Sequence, residues 1–437
     1  MGIKKFSIIT FGCQMNVRDS ETMRSILLKK GFIEDTPENA DIVLINSCSV
    51  RGKAEKRAKI YAREFKRKGK KVIFAGCVAE SEKDKIFELG VDAILGTRKI
   101  HKISNIAEAL IEENKKIIEV GFDEIPEYKD IPEPTHPVTS YVNISIGCDN
   151  FCSFCIVPYT RGREINRSYS SILKESQELV NKGSKEIFLL GQNVNSYFDE
   201  ETGFDFADLI YNLDKDLKGN FWIKYLSPNP RDFSYKVFKA IKESSHISHW
   251  FHLPLQSGST KILKRMKRDY TKEEFLDLCY MIREEFKDST ITTDIIVGFP
   301  GEDDKDFEDT LSVVKSVKFE MAFMFKYSER PNTPARRFKD KVPENIKEER
   351  LKILIEEVNR IIEEKRKEML GRRFLVLTEG ESEKFENFSN VKTRENIKGI
   401  IKGNFKPGEF LIARVIDIKG HTPLFEFERY CNYKGDI

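Results

Sequence analysis

The segment Ile146–Gly–Cys148–Asp–Asn–Phe–Cys152–Ser–Phe154–Cys155 decides how the rest of this chain is read. Its C-x3-C-x2-C spacing follows directly on residues 141–146, which read as a strand. Three thiolates on one tight loop can hold three irons of a [4Fe–4S] cube, one cysteine to each iron. A structural zinc site takes four protein ligands, and no fourth cysteine lies in sequence reach. One iron is then left open. At the C-terminal end of a barrel strand, such an iron suits the amino and carboxylate groups of S-adenosylmethionine, whose sulfonium the reduced cluster would cleave.

Around this loop, residues 140–370 alternate strand and helix. Strands are expected at 141–146, 186–190, 221–226, 251–255, 290–297 and 320–326. Helices fall between them, near 170–182 and at 272–286, where Thr271 and Glu274 form a capping box. About six parallel strands with crossover helices predict a partial TIM-like (β/α)6 barrel. The long helix at 344–369 presents Leu351, Leu354, Ile355, Val358, Ile361 and Ile362 inward. Residues 1–120 read βαβαβα, with strands at 3–10, 42–46 and 72–75 and helices at 20–30, from 53 and from 80. That order predicts a doubly wound parallel sheet. Residues 121–139 carry Pro126, Pro132, Pro134 and Pro137 and read as a linker. From 371 to 433 short β runs at 374–378, 399–401, 410–416 and 424–427 predict a small barrel, most simply of five strands.

The N-terminal sheet carries its own cysteines. Cys13, Cys48 and Cys77 each sit two or three residues past the end of a predicted parallel strand. In a doubly wound sheet that edge is where ligands bind, so three widely spaced thiols converge on one crevice. A second cluster with an open iron follows. Cys279 lies on the apolar face of a helix and reads as core. Cys431 sits in a polar tail.

The 437 residues are 40 % hydrophobic and 33 % charged, a composition able to bury a core. The start lacks a signal peptide's apolar run, and no stretch is apolar enough to span a membrane. A cytoplasmic protein without a membrane partner is expected, and in that compartment cysteines serve metal or redox chemistry more often than disulfides. Net charge is only +3. Residues 51–71 nonetheless hold eleven Lys and Arg, and Lys264, Arg265, Lys267 and Arg268 form a second basic patch. Either is read as a solvated face or as a guide for a polyanion. Arg161 and Arg163 follow the cluster loop and are candidates for a phosphate or a cofactor carboxylate.

The C-x3-C-x2-C loop, with aromatic Phe154 before its last cysteine, resembles the radical S-adenosylmethionine superfamily. With three upstream cysteines and a C-terminal β module, nearly the whole chain resembles the methylthiotransferases, in the order cluster-binding domain, radical barrel, TRAM domain. TFGCQMN at 10–16, DSE at 19–21, NSCSVRGKAEK at 46–56, IVPYTRGRE at 156–164 and LGQNVNSY at 190–197 are similar to the subgroup that adds a methylthio group to C2 of N6-isopentenyladenosine next to the tRNA anticodon. The subgroup acting on threonylcarbamoyl-adenosine in tRNA is the runner-up. The subgroup acting on ribosomal protein S12 fits less well. One departure is Asn332, where the resemblance leads one to expect glycine.

The resemblance implies two [4Fe–4S] clusters and two equivalents of S-adenosylmethionine. One equivalent methylates a sulfur held at the Cys13/Cys48/Cys77 cluster. The other is cleaved at the Cys148/Cys152/Cys155 cluster to a 5′-deoxyadenosyl radical that removes the C2 hydrogen. It also implies that Phe154, Gln192, Asn193, Gln256 and Asp294 line the cofactor. Arg161, Arg163, Lys264, Arg265, Lys267 and Arg268 are then RNA-binding candidates. The expected partners are the tRNA anticodon stem-loop and an electron donor such as flavodoxin or ferredoxin, with the chain a monomer. An electron-transfer protein is a reading from another class. Such proteins complete each cluster with four ligands, and two three-thiol sites argue against it.

Overall fold

The strand Ile42–Ser47 has all six side chains buried, which a parallel sheet covered on both faces permits. It lies near the middle of six parallel strands in the order Ile33–Glu34, Lys5–Phe11, Ile42–Ser47, Lys71–Gly76, Ala93–Leu95, Ile117–Glu119. The computed structural model describes residues 4–50, 52–112, 115–123 and 131–431. Helices Gln14–Lys29 and Ile103–Glu112 cover one face through Met23, Leu27, Ile106 and Leu110. Helices Gly52–Arg67 and Cys77–Glu82 cover the other through Ala58, Ala62, Phe65 and Val78. The basic run thus keeps only Ala58, Ala62 and Phe65 buried and turns most of its cations to solvent.

Two helices start earlier than the sequence pattern implies. The first begins at Gln14 with Cys13 as its N-cap, and the third begins at Cys77 itself. Asn16 lies in the added first turn. It is fully buried, and its amide donates to Asn46 Oδ1 at 3.1 Å and to the Ser47 carbonyl at 3.3 Å. Part of the expected linker, 124–130, lies outside the described residues.

The central unit contains two three-stranded parallel sheets. One holds Thr139–Asn143, Glu186–Leu190 and Trp222–Tyr225; the other holds Trp250–His252, Thr290–Val297 and Met321–Lys326. They join where Ile223 N–H donates to His246 O and Ser248 N–H to Ile223 O, both at 2.9 Å. The result is the expected six-stranded partial barrel. The first strand is shorter than 141–146 suggested. It ends at Asn143, and Ser145–Ile146 turns to pair antiparallel with Ile165–Asn166. The Thr271–Glu274 capping box forms as read. In the helix Glu344–Lys367, Leu354, Val358, Ile361 and Ile362 face the core, but Ile355 is exposed. Asn332, the departure from glycine, has φ 65°. Asparagine is among the few side chains that visit this left-handed region, so the turn is kept.

The C-terminal unit is a closed barrel in the order Arg373–Glu381, Phe388–Thr393, Lys398–Lys402, Thr422–Tyr430, Phe410–Lys419. Phe388–Thr393, FSNVKT, is the strand too polar to read as one. The hairpin around Glu395 closes the bottom of the partial barrel. Arg394 donates to Ile247 O and Thr290 Oγ1 to Glu395 O, both at 2.5 Å. Lys392 donates to Glu186 Oε2 at 2.5 Å and to Thr139 Oγ1 at 2.8 Å, and Lys224 pairs with Glu186 Oε1 at 2.6 Å. Cys431, read as part of a polar tail, is instead buried with Trp222 and Phe410 between the two units. Cys279 is core, as read. Among the described residues no helix is long and apolar enough to cross a membrane.

Burial raises the Glu186 carboxyl, but Lys224 and Lys392 outweigh it and hold the group at about 2. A carboxyl lowered by folding contributes stability that is present above its ordinary 4.5 and lost as pH falls toward 2. Glu186→Gln leaves buried Lys224 without its carboxylate and Lys392 with Glu379 alone, and should cost about 3–5 kcal/mol at neutral pH. Denaturant titrations should show that gap narrowing between pH 4.5 and about 2. A gap independent of pH contradicts this account.

Candidate functional site

Both cysteine triads open on one cavity of about 720 Å³, walled by the N-terminal sheet, the partial barrel and the C-terminal hairpin. In the first triad each thiol follows a strand: Cys13 after Lys5–Phe11, Cys48 after Ile42–Ser47 and Cys77 after Lys71–Gly76. The strand order reverses between the first two of these strands, the switch point where open sheets bind ligands. Gly12 is needed there, because a Cβ would stand 2.8 Å from Cys48 Cβ. A hydrogen bond from Cys48 lowers the Cys13 thiol to about 6, against burial and helped by the Arg161 charge. Cys48 is pushed up, first by Cys13 and then by burial. Burial raises Cys77. The three thiols therefore feel one another.

The second triad sits on a loop held at both ends. Gly147 N–H donates to Gln192 Oε1, and Cys148 N–H to Gly162 O at 3.2 Å. Gly147 has φ 87°, and a Cβ on it would meet the Arg163 carbonyl at 2.1 Å. In the middle of the loop, Ser153 donates through N to Met266 O at 2.9 Å and through Oγ to Arg265 O at 2.8 Å. Burial pushes Cys148 up to about 11 and Cys155 up to about 12. Thiols so buried ionise when a cation arrives, and binding then releases their protons.

Among the described residues, no three of the His, Cys, Asp and Glu side chains are arranged for a single metal ion. A zinc ion needs its donors around one point, whereas a cube takes each sulfur on a different iron. Three thiols spread around the cavity edge, as in each triad, suit the separate irons of a cube.

The structure sorts the other candidates. Phe154, Gln256 and Asp294 line the cavity. Gln256 Oε1 is buried there with no hydrogen-bond partner among the described residues. Asp294 Oδ2 lies 3.4 Å from His252 Nε2. Gln192 lines the cavity and braces the cluster loop. Asn193 is different: Nδ2 donates to Asp232 at 2.9 Å, and Oδ1 accepts from Asn229 N–H at 3.0 Å. Both ends of its amide hold a loop at the wall of the cavity, which Asn193 also lines.

The six RNA candidates divide as well. Lys264 and Lys267 are exposed. Arg265 pairs with Asp340 at 2.7 Å, and the 70 % exposed Arg163 side chain pairs with Asp149 at 2.9 Å. Arg161 and Arg268 are buried in the cavity wall. Arg161 pairs with Asp19 at 2.7 Å across the two units. A buried guanidinium is not a surface phosphate contact, so both leave the RNA set.

What sequence reading missed is an arc of rings inside the barrel. Tyr141–Phe188, Phe188–Trp250, Trp250–His252 and His252–Phe323 have centroids 5.9, 5.9, 6.0 and 6.2 Å apart. The signal lay in the alternation: 141, 188, 250, 252 and 323 fall at cavity-lining positions of four strands, Tyr141 and Phe188 in register with Lys224 and Phe323 with Asp294.

Residues 142–314 match the radical SAM superfamily, and residues 5–96 match a family described as "Uncharacterized protein family UPF0004". The chain is 40 % identical to a tRNA-2-methylthio-N(6)-dimethylallyladenosine synthase of Pelotomaculum thermopropionicum, covering 95 % of each chain. It is 38 % identical to the synthase of that name from Natranaerobius thermophilus, over 96 % of this chain and 95 % of the relative. Among solved structures, the radical S-adenosylmethionine methyltransferase TsrM from Kitasatospora setae superposes with a TM-score of 0.56 at 12 % identity, over 77 % of this chain and 74 % of that one, which speaks to the fold alone. The superfamily brings with it a [4Fe–4S] cluster and S-adenosylmethionine, for which Cys148, Cys152 and Cys155 are the fitting donors. With that loop, that barrel and these relatives, the chain belongs to the radical SAM superfamily and, within it, to the family of tRNA-2-methylthio-N(6)-dimethylallyladenosine synthases.

Proposed function

We propose that this enzyme adds a methylthio group to C2 of N6-isopentenyladenosine beside the anticodon of tRNA, using two [4Fe–4S] clusters and two equivalents of S-adenosylmethionine. The observation that carries the reading is one cavity walled by two three-thiol sites. A single substrate atom can there meet two separate chemistries. Cys148, Cys152 and Cys155 would hold the cluster that binds S-adenosylmethionine, and Cys13, Cys48 and Cys77 the second. When bound, these groups supply reductive cleavage of the sulfonium and a seat for the transferred sulfur. The names of the relatives support tRNA as substrate.

The chain's own residues have definite work here. Gln256 Oε1 and the Asp294 carboxylate are acceptors that suit the ammonium and hydroxyl donors of the cofactor. Tyr141, Phe188 and Trp250 offer flat apolar walls to a purine that has left its stack. The hairpin bearing Lys392 and Glu395 closes the floor. Exposed Lys264 and Lys267, with the outward cations of Gly52–Arg67, suit the phosphates of an anticodon stem-loop. A flavodoxin or ferredoxin would deliver the electrons.

Nucleosides from tRNA of a strain lacking this gene should contain no 2-methylthio-N6-isopentenyladenosine while the unthiolated form accumulates. A loss confined to the threonylcarbamoyl derivative would show the neighbouring subgroup's activity instead. Cys152→Ala should abolish 5′-deoxyadenosine formation. Cys48→Ala should retain about four irons per chain and still form 5′-deoxyadenosine, yet make no methylthio product. Normal methylthiolation by Cys48→Ala would reduce the N-terminal thiols to core residues. Lys264→Ala with Lys267→Ala should weaken tRNA binding and lower the salt slope by about 0.7–0.9 for each phosphate left without its cation. An unchanged slope would make the patch a solvated face.

A further inference from the structure

Helix Thr260–Met266 ends in a tight reversal, with Lys267 at φ 57° and Asp269 at φ 50°. The reversal leaves Lys267 exposed and Arg268 buried, 7 % exposed. Arg268 Nη1 lies 3.7 Å from Cys152 Sγ. Its Nη2 donates to Pro254 O at 3.2 Å and its Nε to Tyr270 Oη at 3.3 Å. The guanidinium also stacks on the Tyr270 ring, 5.2 Å from the centroid. None of these partners is a carboxylate, and among the described residues none pairs with it. Of the cavity's other buried arginines, Arg161 has Asp19, and Arg366 donates to the Glu320 carbonyl at the far end of the barrel.

A guanidinium withdrawn from water without a counter-charge is costly. The sulfur that its Nη1 reaches is Cys152 Sγ, one of the three ligands of the cluster read at this loop. The two are held in register by more than chance packing. Ser153, the next residue, is bonded through both N and Oγ to the carbonyls of Met266 and Arg265. The cysteine loop and the turn carrying Arg268 therefore keep a fixed spacing.

We propose that Arg268 is the charge partner of the cluster held by Cys148, Cys152 and Cys155, a positioning residue that donates to the Cys152 sulfur and eases one-electron reduction. This rests on the reading of those three thiols as cluster ligands. In the reduction one electron comes from a low-potential donor, dithionite in the test. No bond forms or breaks, and the site gains one negative charge. A fixed cation with an N–H aimed at a ligating sulfur stabilises the more negative state more strongly.

The test is a dithionite-poised redox titration of the reconstituted full chain, following the paramagnetic signal that changes when S-adenosylmethionine is added. Arg268→Gln should shift that midpoint negative by about tenfold in the reduction equilibrium, about 59 mV for one electron. Arg268→Lys, which keeps the charge, should stay nearer the parent, and the salt dependence of tRNA binding should not change. Equal midpoints in all three proteins at equal iron would overturn the proposal, as would equal displacement by Lys and Gln, which indicates packing. If Arg268→Gln holds no iron at this loop, Arg268→Lys decides: normal loading supports the charge, and failure to load rejects it. A parent protein lacking iron at Cys148, Cys152 and Cys155 would instead remove the cluster reading itself.

Discussion

The ion pair between Arg161 and Asp19 holds the site together. Both side chains are 3 % exposed, and they join residues 142 positions apart, from the short helix Val157–Arg161 after the second triad to the helix that Cys13 caps. Beside it Arg18, on that same helix, pairs with Glu175, which also takes Arg167 at 2.6 Å. Charges out of water tolerate no missing partner. The N-terminal sheet and the barrel are therefore locked with their C-terminal edges facing. Each edge is where a parallel sheet presents its ligands. Set face to face, the two edges place two triads around one cavity.

The opposite end of the barrel obeys the same logic. Glu186 points inward from its strand, at the level of Thr139 and Trp222. Alone, a carboxylate there would be untenable. Lys224 from the barrel and Lys392 from the C-terminal unit balance it together. The C-terminal barrel is thus part of the site's architecture as well as an appendage. Its hairpin is the floor beneath the ring-lined lumen.

Much of this was legible in the sequence. The strand before each N-terminal thiol, the alternation of strand and helix and the Thr271–Glu274 cap are local patterns, and the structure contains each of them. The failures share one cause. Phe388–Thr393 and Cys431 are polar or sit in polar surroundings, and polarity hid a strand and a buried thiol. Each is in fact satisfied by distant partners: the neighbouring barrel strands and Trp222. Local pattern carries no information about such partners.

The sequence by itself determined the elements and the chemistry they offer, because thiol spacing and apolar periodicity are properties of a few consecutive residues. Only the tertiary structure decided what each charge is for. Lys264, Arg265, Lys267 and Arg268 are one basic run in the sequence. In the fold Lys264 and Lys267 face water, Arg265 meets Asp340, and Arg268 meets Cys152. The physical reason is that a cation's role is set by the dielectric around it and by the nearest anion. Both depend on segments far away along the chain.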